Sequence, residues 1–378
     1  MDEKPIQVMV RHDLIQGTPY TAGRAQGEAL ARSPEVARFF TSPLKGKGEL
    51  TPAQGAEALA FFERHCPSLN EEIRGFADAL NVAPERVVYY AFSHNPPTDF
   101  LGNACSQVVV MPSHSADGHM RVARNYDFNP RMTEMRLALT RIKGQAAHLG
   151  FSELQFGRYD GLNEHGLCVS MSGGAPLAPV EPGGCMFWSL IRTVLDRCAT
   201  VAEALEVIEG IPLSFNLNLV LADRVGEAAL VEMASSHRAV KRIREGVLVA
   251  TNHFALSGMK PYDVSRSWNS VERVRIAQQA LGREGTHITA DLLRDLLGKP
   301  FPEGLCVHDF SGYFGTLWSE VFDVTAGTVD LCFGPPTHNP WRTFSLDAPA
   351  DGAVYAAVLP DTPVDPGFWR RLEPGMES

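Results

Sequence analysis

The texture of the chain changes at Cys105, and that change limits the folds open to it. Upstream, "TAGRAQGEALARSPEVARFF" (21–40), "TPAQGAEALAFFERH" (51–65) and "SLNEEIRGFADAL" (68–80) carry apolar residues at helical spacing. Thr51 with Pro52, and Ser68, stand where helix N-caps are expected. "PLKGKG" near residue 45 breaks the pattern, so residues 1–104 read as a helical leader. From Cys105 onward the runs shorten to "CSQVVVM", "HMRVARNY", "MRLALTRI", "AAHLGFS" and "GLCVSMS", separated by turn formers. Two helices follow, "CMFWSLIRTVLDRC" and "TVAEALEVIEG", the second capped by Thr200. Strands resume at "NLNLVLAD", "AALVEMAS", "AVKRI" and "VLVAT". The helices "SWNSVERVRIAQQAL" and "TADLLRDLLG" then precede the strands "GTLWSEVFDV" and "TVDLCFG". Strands and helices grouped in blocks predict an α+β layered protein rather than alternating βαβ units. The last thirty residues, rich in Pro, Asp and Gly, read as a wrapping tail.

Composition narrows the function. With 34 basic against 44 acidic residues the net charge is -10, which argues against a nucleic-acid partner. Seven cysteines, odd in number and without a C-x-x-C pair, support neither a disulfide framework nor a zinc ribbon. The N-terminus has acidic residues where a signal peptide needs positive charge, and no window has the apolar length of a membrane span. A cytoplasmic protein without membrane partners is expected. His114 and His119 flank a turn without the carboxylates or spacing of a metal site. "SGGAPLAPVEPGG" lacks the lysine of a phosphate-binding loop. Neither a metal nor a cofactor is expected.

Nucleophiles remain. Cys185 in "GGCMFWSL" stands at a helix start, where a thiol is easier to ionise. That position suggests a papain-like cysteine protease with His253 or His308 as its base. Cys105 offers different chemistry, because it opens a strand at the boundary between two textures. If the Ala104–Cys105 bond were cut, Cys105 would carry a thiol and an α-amine with a reference pKa near ~7.7–8.0. Nucleophile and base would then share one residue. A buried strand cysteine in an unprocessed, non-catalytic acyl-ligand-binding protein is the bland alternative.

"ACS…DGHMRVARNYDF" resembles the start of the mature chain in N-terminal-nucleophile hydrolases of the choloylglycine hydrolase and penicillin acyltransferase kind. Three further segments agree in order: "DGLNEHGLCVSMSGG" (160–174), "VLVATNHF" (247–254) and "GTLWSEVFDVTAGTVDLCFGPP" (315–336). "QGTPYTAGRAQGEAL" (16–30) is similar to the leader of the acyltransferase branch. The resemblance implies a four-layer αββα sandwich over residues 105–378, preceded by the leader 1–104, which stays associated after self-cleavage between Ala104 and Cys105. It implies Cys105 as nucleophile, Asp127 holding its amine, Arg124 beside the thiol, and Asn252 as oxyanion donor. Tyr126, Phe128, Ser172, Gly173 and His253 would meet the substrate, a small-molecule acyl amide. An amine or acyl-CoA would be the second substrate if the acyl group is transferred rather than hydrolysed. Ser172, Gly173 and Gly174 stand where bile-salt hydrolases have an asparagine, which points to a backbone N–H as second oxyanion donor and away from bile salts. Ala104 replaces the glycine usual before the nucleophile. A downstream family arginine has two candidates, Arg266 and Arg273.

Overall fold

The computed structural model describes residues 5–32, 40, 52–92, 104–131, 133–153, 155–175, 178–181, 183–264, 266–348, 350 and 352–372. Its larger sheet contains β1 (Ile6–Gly17), β4 (Arg136–Ile142), β5 (His148–Glu153), β6 (Gly157–Arg158), β7 (Gly161–Asn163), β8 (Leu167–Gly173), β9 (Asn216–Asp223), β10 (Ala228–Ala234), β11 (His237–Ile243) and β17 (Val354–Leu359). The second sheet contains β2 (Ser106–Val110), β3 (Arg121–Phe128), β12 (Val247–Ala250), β14 (Gly315–Asp323), β15 (Thr328–Phe333) and β16 (Trp341–Ser345). A short pair joins β13 (Arg266–Ser267) to β18 (Arg371–Leu372). The helices are α1 (Pro19–Ala31), α2 (Pro52–His65), α3 (Pro67–Leu80), α4 (Pro84–Phe92), α5 (Phe187–Arg197), α6 (Val201–Gly210), α7 (Trp268–Glu284) and α8 (Ala290–Gly298). Among the described residues no helix is long and apolar enough to cross a membrane.

The two-residue period of a strand sorts the layers. In β2, Val109 packs toward the larger sheet while Val108 and Val110 join Ile276 and Ala277 of α7 and Leu293 and Leu297 of α8. In β3, Val122 and Ala123 divide the same way. Helices α5 and α6 pack on β6, β7, β8 and β9, and β8 meets β2 and β3 between the sheets. The order is therefore helix, sheet, sheet, helix: the αββα sandwich expected. Strands with both faces covered lose their alternation, and β8 and β9 are buried at every position.

Three expectations need correction. The leader is not purely helical, because β1 runs inside the larger sheet, parallel to β4 and antiparallel to β17. Arg11, His12 and Asp13 interrupt its apolar alternation, which hid the strand from pattern reading. The tail likewise supplies β17 rather than only wrapping the surface. Ser68 does not cap α3: the helix begins at Pro67, with Cys66 in the cap position. Thr51 and the break near residue 45 lie outside the described residues. Thr200 caps α6 as expected, accepting from the Glu203 N–H at 3.2 Å.

The leader's helices cross at bare backbone. A Cβ on Gly23 of α1 would lie 1.8 Å from the Glu72 carbonyl oxygen, and one on Gly75 of α3 2.0 Å from that of Tyr20. Only glycine lets the two helices approach this closely, and the contact anchors α3 over the larger sheet.

Candidate active site

The hairpin β2–β3 sets the geometry. Ser106 pairs with Asn125 and Gln107 with Arg124, so Cys105 enters the sheet beside Tyr126 and Asp127. Cys105 is 3% exposed, and Arg124 and Asp127 are fully buried. Burial pushes the Cys105 thiol up; Arg124 pulls it down, Asp127 pushes it up, and the Asp127 backbone N–H and Arg273 pull it down. Four groups from two elements, β3 and α7, thus act on one sulfur.

Arg124 has further partners of its own. Its guanidinium pairs with Asp160, stands 3.9 Å from Glu320, and lies 5.0 Å from the centre of the Tyr126 ring. Trp318 Nε1 and the Phe151 backbone N–H donate to Asp160 at 3.3 and 3.0 Å, which fixes its carboxylate. Burial, reinforced by Asp160, holds the Glu320 carboxyl well above the usual range, so it stays protonated.

Asp127 accepts from Thr316 Oγ1 at 2.6 Å through Oδ1, and its Oδ2 has no hydrogen-bond partner. Burial pushes this carboxyl up to about 7, against the opposing pull of Thr316, Arg273 and Arg124. Of the two downstream arginines, Arg273 reaches the site. It donates to the Cys105 carbonyl at 2.5 Å, to Ser106 Oγ at 2.9 Å and to Asn252 Oδ1 at 2.8 Å. Arg266 instead pairs with Asp263 at 2.6 Å. Both candidates lie at or near the start of α7, and only packing onto β2 and β12 selects the second.

Asn252 follows β12, which pairs with β2 so that Ala250 faces Gln107. Its Nδ2 donates to the Gly173 carbonyl at 3.1 Å, and its backbone N–H to Ser270 Oγ at 2.9 Å. With Oδ1 held by Arg273, the amide orientation is set and one Nδ2 hydrogen stays uncommitted. Ser172 is buried between Gln107 and the Thr251 carbonyl. His253 shares Ser270 at 2.8 Å, and burial, then Arg266 and Arg273, hold it down to about 3. Tyr126 stacks on Trp318 with ring centres 4.1 Å apart and stands 4.7 Å from Tyr159 and 5.8 Å from Phe128.

The sequence does not mark Trp318, Tyr159, Asp160 or Thr316 as site neighbours, because a buried counterion and a loop acid look alike in one dimension. Asn125, in the same motif as Arg124, donates to the carbonyls of Leu297 and Leu305 at 2.9 and 3.1 Å and ties the hairpin to α8.

Cys185 has no comparable surroundings. It precedes α5, whose cap position is Met186, and burial pushes its thiol up to about 11. His253 is held by Ser270, and His308 lies 3.3 Å from Cys306.

The fold can be set beside known structures. Penicillin V acylase from Agrobacterium tumefaciens is 16% identical, with 67% of this chain and 90% of that one covered at a TM-score of 0.42. A mutant of conjugated bile acid hydrolase from Clostridium perfringens is 12% identical, with 67% and 96% covered and a TM-score of 0.39. A second variant of that hydrolase is 13% identical, with 68% and 98% covered and a TM-score of 0.37. No curated protein matches the sequence. A family model does, over residues 115–338, more than half of the chain: the protein belongs to the acyl-coenzyme A:6-aminopenicillanic acid acyl-transferase family, among the N-terminal-nucleophile hydrolases.

Proposed function

We propose that this chain is a self-processing cysteine amidase or acyltransferase that cleaves a non-peptide, linear acyl amide through a thioester on Cys105. Family membership makes it an enzyme of acyl or amide chemistry; the nucleophile, the processing and the substrate class are our inference. The observation that carries it is the convergence of Arg124, Asp127 and Arg273 on Cys105, immediately before β2, with Asn252 held by Arg273.

Processing begins with attack of the Cys105 sulfur on the Ala104 carbonyl. The C–N bond breaks as the C–S bond forms, and the nitrogen takes the thiol proton. Water then hydrolyses the thioester, leaving a carboxylate on Ala104 and an α-amine on Cys105. That amine would pair with the unpartnered Oδ2 of Asp127. In turnover it takes the thiol proton as sulfur attacks the substrate carbonyl, then passes it to the leaving amine. The uncommitted Nδ2 hydrogen of Asn252 and the Gly173 backbone N–H receive the oxyanion, since the Gly174 N–H is taken by the Asn216 carbonyl at 2.8 Å. Tyr126, Phe128 and the segment around Ser172 and His253 favour an apolar acyl group. Water or a second amine resolves the thioester.

Residues 1–104 stay bound after cleavage, because β1 lies between two strands and Arg192 of α5 holds Glu72 of α3 in the interior. Denaturing mass spectrometry tests the proposal. It should show one fragment ending at Ala104 and one beginning at Cys105, with a single intact chain in the Cys105→Ala variant. Fragments that persist in that variant would mean an external protease and would remove the mechanism's main support.

A further inference from the structure

We propose that Thr316 is a positioning residue that aims the Asp127 carboxylate, reserving one oxygen for the α-ammonium of Cys105. This rests on the function proposed above and adds a residue to its machinery. The strand pairing itself brings Thr316 into place. Along most of β14 and β3 the register is regular, with Ser319 facing Asn125 and Trp318 facing Tyr126. Continued unbroken, that register would set Leu317 opposite Asp127. A bulge intervenes between Thr316 and Trp318, and Thr316 faces Asp127 instead. Leu317 becomes the extra residue and is buried in the main core. A hydroxyl therefore meets the carboxylate where an unkinked strand would offer a hydrocarbon.

The hydroxyl has one direction to point. Its oxygen accepts from the Val307 backbone N–H at 3.0 Å and from the Cys306 thiol at 3.4 Å. Cys306 is a neutral donor, since burial holds its thiol far above the usual range, and His308 Nε2 lies 3.3 Å behind it. With both lone pairs taken, the single hydrogen of Thr316 goes to Asp127 Oδ1 at 2.6 Å. Oδ2 is left buried and unpartnered. Leaving a buried oxygen without a donor is costly, and a cation formed by processing next to it removes that cost. The titratable and charged groups around Asp127 are Cys105, Arg124, Arg273 and Cys306.

The test is the pH profile of Cys105 acylation by p-nitrophenyl acetate in the processed protein, from about pH 5 to about pH 9, read by mass spectrometry. In Thr316→Val the carboxyl loses its donor and holds its proton to higher pH. Acylation needs Asp127 ionised to hold the amine as well as the amine neutral. The acidic limb should therefore move up by about one pH unit, an approximately tenfold loss below the limb, with little change above it. Thr316→Ser should restore the wild-type profile. A purely structural threonine would lower folded yield, or rate at every pH alike. If the valine variant does not fold, as read by near-UV circular dichroism, Thr316→Ala carries the same expectation. A wild-type profile in the folded hydroxyl-free variant, with Asp127→Asn inactive, overturns the role of Thr316 alone. Acylation that survives Asp127→Asn overturns the reading of the site, and the proposal with it.

Discussion

Replacing Arg192 with methionine should destabilise the protein strongly, and more so as pH rises. Arg192 is fully buried on α5 and serves four partners in the interior. Nε donates to Asp196 at 2.8 and 2.9 Å, Nη2 to Glu72 Oε1 at 2.5 Å and to Gln145 Oε1 at 2.9 Å, and Nη1 to the Phe156 carbonyl at 3.0 Å. Methionine keeps most of the volume and removes the charge and every donor. Burial already pushes the Asp196 carboxyl up to about 6, with Arg192 the strongest group pulling it down. Without Arg192 that carboxyl rises further and is neutral at pH 8. The difference in proton affinity over the two pH units between is worth about 3 kcal/mol, at about 1.36 kcal/mol per unit. The orphaned Gln145 amide oxygen adds about 1–3 kcal/mol. The sum, about 4–6 kcal/mol, overlaps the ~3–5 kcal/mol typical of breaking a buried ion pair.

The sign follows from linkage. A carboxyl raised in the folded state makes the native chain bind more protons than the unfolded one, so stability falls as pH rises through that window. Raising it further extends the window upward. The deficit of Arg192→Met should therefore be about 4–6 kcal/mol near pH 8 and shrink to about 1–3 kcal/mol near pH 5, where Asp196 is protonated in both proteins. Urea unfolding followed by tryptophan fluorescence, in the Cys105→Ala background so that both chains are uncleaved, measures it. Adding Asp196→Asn and Glu72→Gln should recover much of the loss near pH 8. A deficit below about 1 kcal/mol near pH 8, or one equal at both pH values, would refute the account.

Two other outcomes concern the chemistry. Asn252→Ala should lower turnover about 10²–10³-fold with little change in substrate binding, measured as kcat against KM; a structural asparagine would show lost thermal stability with turnover per folded molecule preserved. His253→Ala and His308→Ala, tested one at a time in cleaved, folded protein, should each keep the acidic limb of acylation, because the base in this mechanism is an amine. One histidine variant that abolishes acylation would sink the single-residue catalyst.

The hairpin that carries Cys105, Arg124 and Asp127 was legible, because a hairpin is a local structure whose strand runs and turn can be read in order. The roles expected of Arg124 and Asp127 came only from a resemblance. The block pattern of strands and helices carried the layer order for the same reason, since each face is written in a two-residue or helical period. Asn252 was reached only through a resemblance, because nothing local marks an asparagine after a strand as a donor.

What the sequence determined by itself was the inventory: which runs form strands or helices, and which thiols, carboxyls and guanidiniums they carry. Tertiary structure decided the partners. It chose Arg273 over Arg266, because α7 packs against β2 and β12. It placed β1 between β4 and β17, pairing Ile6–Gly17 with segments more than a hundred and more than three hundred residues away. It put a bulge at Thr316 and a counterion at Asp160. Periodicity encodes which face of an element is buried, but registers and buried ion pairs depend on which distant surface covers that face, and that is settled only when the layers close.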